Sequence, residues 1–293
     1  STMMVREPGL GAGSVVTLHP RAVASIFFSC YYFVNAQGDK GTKRMEPLIE
    51  KLRNREKIFA TTLVSIHWSG IIEIFKNDIL DFLILDLEHG SYSIESVENL
   101  LRTARAHELC VIVRAADTLY HLLSSCLDAG AQGLLVPRVE TAEQAREAVA
   151  SVHFPPQGRK GFGGFSLVRD WKGVEEFNSR SIVLLQIESR RGIDNLDNIL
   201  EVERVSGIIV GPSDLSIDLG IPLQFEHPQL VEAIDRVLAV TTARKLSCGI
   251  YCATEQLISF WHGRGMNILW SGCATDFIYR GYSELCSFVE TLE

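Results

Sequence analysis

"FLILDLEHG", residues 82–90, runs a block of apolar residues into Asp86, Glu88, His89 and a glycine. A continuous apolar run, rather than an alternating one, is the pattern of a β-strand covered on both faces, and such strands belong to parallel sheets flanked by helices. Ionisable groups are costly near a core unless they are paired or used, so the charged end of this strand reads as a candidate site. Taken alone it reads equally well as a strand terminus emerging into solvent.

The same pattern recurs along the chain. From Lys57 onward, short β-branched runs alternate with helical segments: "IFATTLV" (58–64), "FLILDLE" (82–88), "CVIVRA" (110–115), "GLLVPRV" (133–139), "IVLLQIE" (182–188), "GIIVG" (207–211), "CGIYC" (248–252) and "NILWSG" (267–272). Helices are predicted over 69–77, 93–106, 119–129, 141–152, 191–201, 228–245, 254–264 and 275–291, with Ser93 and Thr141 as N-caps. Strands that each precede a helix, eight in all, close most naturally into an α/β (β/α)8 TIM barrel, whose active site is built from the C-terminal strand ends. The main alternative is a doubly wound open sheet, but no GxGxxG follows the first strand. The longest irregular stretch, "FPPQGRKGFGGFSLVRDWKG" (154–173), is a candidate functional loop.

Composition narrows the partners. The chain has 293 residues, 46% of them hydrophobic and 22% charged, which fits a globular protein with a substantial core. Its net charge of -8, with no long basic run, gives no pull toward nucleic acid or an anionic membrane, so a small molecule is the expected partner. The seven cysteines form no CxxC pair and sit mostly in apolar runs, which suits a reducing, cytoplasmic setting. "AVASIFFSCYYFV" (22–34) is too short to span a bilayer and lacks a well-formed signal-peptide start and cleavage pattern. Residues 1–44 are therefore read as an N-terminal extension of unknown role, and 45–293 as the barrel, opened by the amphipathic "MEPLIEKLRNRE".

If the barrel is right, the strand ends bring together Asp86, Glu88, His89, Arg114, Gln186 and Glu188, with Ser213 and Asp214 following the sixth strand in "GPSD". Side chains alternate along a strand, so Gln186 and Glu188 share a face, as do Asp86 and Glu88. Glu188 and Asp214 are the right type for a hard divalent cation, and equally for two acids at helix N-termini. Arg114 reads as an anion-binding group or as a structural ion-pair partner. His89, taken singly, is more often a satisfied polar group than a base.

The ordered set "DFLILDLEHG", "VIVRAAD", "LDAGAQGLLVPRVETAEQAREAV", "FPPQGRKGFG", "LLQIESRRGIDNLDNI" and "GPSDLS" resembles the HpcH/HpaI family of class II pyruvate aldolases over roughly residues 45–290. The resemblance implies a (β/α)8 barrel that depends on a divalent metal (Mg2+, Mn2+ or Co2+). It would reversibly cleave a 4-hydroxy-2-oxo acid to pyruvate and an aldehyde through a metal-bound enolate. It also implies a homo-oligomer, a hexamer or trimer, with an exchanged C-terminal helix.

Carried over by residue, the resemblance makes Glu188 and Asp214 metal ligands and Gln186 a substrate contact. The backbone at Ser213 and Asp214 would hold the pyruvate carboxylate. His89 would be the acid/base and Arg114 the group that steadies the enolate. Asp128, within the chain or across a subunit boundary, would raise the basicity of His89, with Asp86 the second candidate for that role.

Aldol chemistry on a keto acid uses either a Schiff-base lysine or a metal, and no lysine falls at the reactive end of a predicted strand. This sequence departs from the family pattern at Lys160, where arginine is usual, and in a shorter segment from Phe162 to Ile187. Both bear on the distal end of the substrate rather than the pyruvate end. A Claisen-type or decarboxylating enzyme acting on oxaloacetate is the alternative on the same scaffold; a non-catalytic keto-acid-binding barrel is the less favoured one.

Overall fold

The computed structural model describes residues 42–163, 168 and 170–292, with side chains from residue 47 onward. All but the last residues of the expected 1–44 extension, including the apolar stretch at 22–34, lie outside the described residues.

Eight parallel strands close into a barrel in sequence order: β1 (Ile58–Leu63), β2 (Phe82–Asp86), β3 (Val111–Arg114), β4 (Gly133–Val136), β5 (Ile182–Ile187), β6 (Gly207–Val210), β7 (Ser247–Cys252) and β8 (Ile268–Cys273). The helices among the described residues are α1 (Thr42–Asn54), α2 (Ile71–Phe75), α3 (Ile94–Ala106), α4 (Tyr120–Asp128), α5 (Ala142–Val152), α6 (Trp171–Arg180), α7 (Arg190–Asp194), α8 (Leu196–Ile199), α9 (Pro212–Asp218), α10 (Pro228–Ala243), α11 (Glu255–Gly263) and α12 (Ala274–Glu290). None is long and apolar enough to cross a membrane.

Two cores follow from the alternation of side chains along each strand. Phe82 and Ile84 of β2, Ile112 of β3 and Leu184 of β5 fill the barrel interior, whereas Leu83, Leu85 and Val113 face outward against the helices. The inward parity carries on to Asp86, Arg114 and Gln186 at the C-terminal rim. At the opposite end, α1 inserts Leu48 and Leu52 into the interior cluster, each contributing about 2 kcal/mol by burial. Ser247 Oγ donates to the Leu52 carbonyl at 2.6 Å and Asn267 Nδ2 to that of Glu56 at 3.0 Å, so α1 is also tied to the strand starts.

Both expected N-caps are present. Ser93 accepts from the Ser96 amide, and Thr141 forms a reciprocal capping box with Gln144. The differences from expectation are local. β2 stops at Asp86, leaving Glu88 and His89 on the following loop, and β4 stops at Val136 because Pro137 has no N–H to continue the ladder. The segment 191–201, expected as one helix, breaks at Asn195 into α7 and α8. The stretch 154–173 ends in the start of α6, where Asp170 caps the Gly173 amide at 2.8 Å.

Candidate active site

Asp86 and Arg114 end adjacent strands and are register partners. The guanidinium grips the carboxylate at two points, Nε to Oδ1 at 2.8 Å and Nη2 to Oδ2 at 2.5 Å, a fork that lysine cannot reproduce. Oδ1 also accepts from the amides of Glu88 at 3.0 Å and His89 at 3.3 Å, fixing the turn that follows β2. Asp86 is thus brought to Arg114 and to the backbone of His89, not to its ring. Arg114 lies 5.3 Å from the Trp270 ring centroid. Burial opposes its charge, but the hydrogen bonds and charge of Asp86, with Glu88 and Glu188 beyond, outweigh that and raise its pKa.

Glu88 stands between two arginines. Its Oε1 accepts from Arg138 Nε at 2.9 Å, and its Oε2 lies 3.4 Å from Arg114 Nη1 and 3.8 Å from His89 Nε2. The imidazole is exposed, and among the described residues Glu88 is its ion-pairing carboxylate. Asp128, the candidate to serve His89 within the chain or across a subunit boundary, is bonded within its own chain to Lys160 Nζ at 2.6 Å. That lysine side chain is fully buried, with its ammonium 5.0 Å from the Phe154 ring centroid.

Gln186 lies near the end of β5 and Glu188 just past it. Glu188 is 6% exposed. It accepts from the Arg138 amide at 2.8 Å and from Gln186 Nε2, and no cationic side chain pairs with it among the described residues. Burial raises its pKa, reinforced by the like charges of Glu88 and Asp214 and opposed by the Gln186 and Arg138 bonds. Gly211 makes the arrangement possible: a Cβ there would lie 2.9 Å from Glu188 Cβ and collide with its Oε2. Gly211 opens α9 with no side-chain cap, so the Ser213 and Asp214 amides are among the orphan donors of that first turn.

Among the described residues there is no group of three or more His, Cys, Asp or Glu suited to a metal. The residues present nevertheless fit a hard divalent cation, which takes one or two carboxylates and completes its shell with water and substrate oxygens. Among the described residues, Glu188 is a buried carboxylate with no ion-paired side chain, Asp214 adds charge beside it, and two buried acceptors, Gln186 Oε1 and Glu88 Oε2, have no hydrogen-bond donor. Buried acceptors without donors are uncommon and costly, which is the state of a site built for a ligand.

Sequence reasoning passed over Arg138. It follows Pro137 in "LLVPRVE", holds the left-handed conformation at φ 53°, and bridges Glu88 by its side chain and Glu188 by its amide. Its signal was position: it stands just beyond the fourth strand, at the same barrel end as Asp86, Arg114 and Glu188.

Ionisable groups converging from several strand ends of a closed barrel define a (β/α)8-barrel enzyme. The chain belongs to the HpcH/HpaI aldolase/citrate lyase family, whose model matches residues 67–262. It is 33% identical over 230 residues to the hydroxypyruvate/pyruvate aldolase of Deinococcus radiodurans, covering 75% of this chain and 83% of that one. It is 30% identical over 230 residues to the 4-hydroxy-2-oxo-heptane-1,7-dioate aldolase of Salmonella typhimurium, covering 75% and 88%. The crystal structure of the citrate synthase SbnG superposes with a TM-score of 0.75 at 27% identity, over 83% of this chain and 97% of that one. The chain is thus an enzyme of the HpcH/HpaI aldolase class.

Proposed function

We propose that the chain is a class II pyruvate aldolase, a metal-dependent carbon–carbon lyase that reversibly cleaves a 4-hydroxy-2-oxo acid to pyruvate and an aldehyde. The observation that carries the reading is a buried Glu188, with no ion-paired side chain among the described residues, close to Asp214 and at the same barrel end as an Arg114 locked by Asp86. A divalent cation held by Glu188 and Asp214 would supply Lewis-acid polarisation of the 2-oxo group. Mg2+, Mn2+ and Co2+ are the candidates.

The protein's own groups divide the remaining work. The Ser213 and Asp214 amides hold the substrate carboxylate, and Gln186 contacts the substrate. His89 removes the proton from the C4 hydroxyl as the C3–C4 bond breaks, and returns a proton to C3. Arg114 offers Nη1, the edge that Asp86 leaves free, to the oxygen gaining negative charge. Asp86 is the residue that orients Arg114. Asp128 of a neighbouring copy is the expected carboxylate for His89.

A homo-oligomer, trimeric or hexameric, is part of the proposal. Along α12, Ile278, Tyr282, Leu285 and Phe288 are exposed and only Ala274 is buried, an apolar surface suited to cover by a second copy. The catalytic unit is residues 45–293, acting on small 2-oxo acids in the cytoplasm.

A second reading, condensation or decarboxylation involving oxaloacetate, is favoured by the likeness to a citrate synthase. Purified protein assayed with each metal for pyruvate release from a panel of 4-hydroxy-2-oxo acids, with oxaloacetate alongside, separates the two. Turnover of oxaloacetate alone would select the second reading.

A further inference from the structure

At the end of the barrel opposite the catalytic rim, where β5, β6 and β7 begin, lies a cavity of about 420 Å³. Arg53 from the last turn of α1, Arg204 before β6 and Lys245 before β7 line it, together with His153 and Ser206. Among the described residues, no carboxylate does. Elsewhere Arg102, Arg146, Arg236, Arg244 and Arg264 each pair with an acid. Among the described residues, Arg53, Arg204 and Lys245 have no ion-pair partner.

His153 supplies the second observation. It is 1% exposed, and its Nδ1 lies 2.8 Å from the Val149 carbonyl oxygen. A carbonyl only accepts, so Nδ1 carries the hydrogen, and Nε2 is left as a lone-pair acceptor with no hydrogen bond formed among the described residues. Burial, helped by the nearby positive charge of Arg204 and opposed by the Val149 hydrogen bond, lowers the pKa of the ring. The wall therefore combines three cations with one buried acceptor. Its complement is an anion that also carries a proton to donate.

We propose that this cavity binds a small phosphate-bearing anion with an O–H group, at a site separate from the catalytic end. The cations meet the charged oxygens, and His153 Nε2 accepts from the O–H. A fully ionised anion without a hydroxyl satisfies the cations but leaves Nε2 unbonded.

Isothermal titration of the full-length protein at neutral pH, with inorganic phosphate as the probe and sulfate as the comparison, tests this without any substrate. Phosphate should bind saturably, one per chain, and more tightly than sulfate, which has no proton to donate. In the double variant Arg204→Gln/Lys245→Gln, affinity should fall by about 10-fold or more, the scale of losing a charged hydrogen bond. Circular dichroism and retained turnover in the same variant would show that the fold survives. Arg146→Gln/Arg236→Gln, with the same charge change elsewhere, and Asp214→Asn, at the catalytic end, should both bind phosphate like the parent protein. Absence of saturable binding, undiminished binding in Arg204→Gln/Lys245→Gln, an equal loss in Arg146→Gln/Arg236→Gln, or equal affinity for sulfate would overturn the proposal. None of these outcomes depends on which reaction the catalytic end performs.

Discussion

Asp86 and Arg114 end neighbouring strands at the same register position and are joined by two hydrogen bonds, at 2.8 and 2.5 Å. Both are buried, so the barrel itself holds the guanidinium in one orientation before any substrate arrives.

Breaking this pair should be costly in two distinguishable ways. Asp86→Ala leaves a buried arginine without its anion and should destabilise the fold by about 3–5 kcal/mol in urea unfolding. Arg114→Ala should lower kcat by about 10²-fold or more, on the scale of losing an oxyanion-hole donor. Arg114→Lys should not restore full turnover, because a point charge cannot hold Asp86 at two points and still present a third edge.

The role proposed for His89 separates two reactions. His89→Ala should slow aldol cleavage by roughly 10²- to 10⁴-fold, as loss of a general base does. Decarboxylation of oxaloacetate needs no proton from a C4 hydroxyl and should be much less affected. Equal damage to both reactions in steady-state assays would remove His89 from the acid/base role.

Chelation should abolish turnover, and Mg2+, Mn2+ or Co2+ should restore it. Glu188→Gln should weaken the cation requirement's origin directly, seen as loss of Mn2+ binding by electron paramagnetic resonance. Borohydride with pyruvate should leave no covalent adduct by mass spectrometry, since the buried Lys160 is held by Asp128 and the Gly161 carbonyl. An adduct on any lysine would instead indicate imine chemistry.

Gly211→Ala tests how tightly the proposed cation site is fitted. The added methyl must displace Glu188 or the Gly211 backbone, so activity and Mn2+ affinity should fall. Far-ultraviolet circular dichroism should stay close to that of the parent, because the clash lies at the rim rather than in the barrel interior.

The buried thiols predict alkaline lability. Burial pushes Cys126 and Cys252 up to about 12 and Cys248 up to about 11, from 9.0. Between the unfolded and folded values the folded chain retains protons that the unfolded chain has lost, so stability falls as pH rises through that window. Below the unfolded value the contribution is fully present. Urea midpoints should therefore decline steadily from about pH 9 upward, and replacing Cys252 with Ala or Ser should flatten the slope.

The architecture was legible because it rests on local patterns. Apolar runs such as "FLILD" and "IVLLQI", each followed by a 3.6-residue periodicity, report strands buried on both faces and helices that cover them. Ser93 and Thr141 mark helix starts because a cap acts on an amide three residues away. The positions of Asp86, Arg114, Gln186 and Glu188 at one barrel end follow from the same order and alternation.

Which of those charges meet is another matter, and only the tertiary structure decided it. Asp86 partners Arg114 because the parallel pairing of β2 with β3 sets the two residues in register, whereas proximity in sequence had suggested His89. Asp128 meets Lys160 across 32 residues, and Arg138 reaches both Glu88 and Glu188 across 50. Arg53, Arg204 and Lys245 form no basic run in the chain and become one cationic wall only where α1 closes the barrel floor. Periodicity acts over a few residues and is written in the sequence. Charge pairing acts over a few ångströms between segments far apart in the chain, and the fold alone sets those distances.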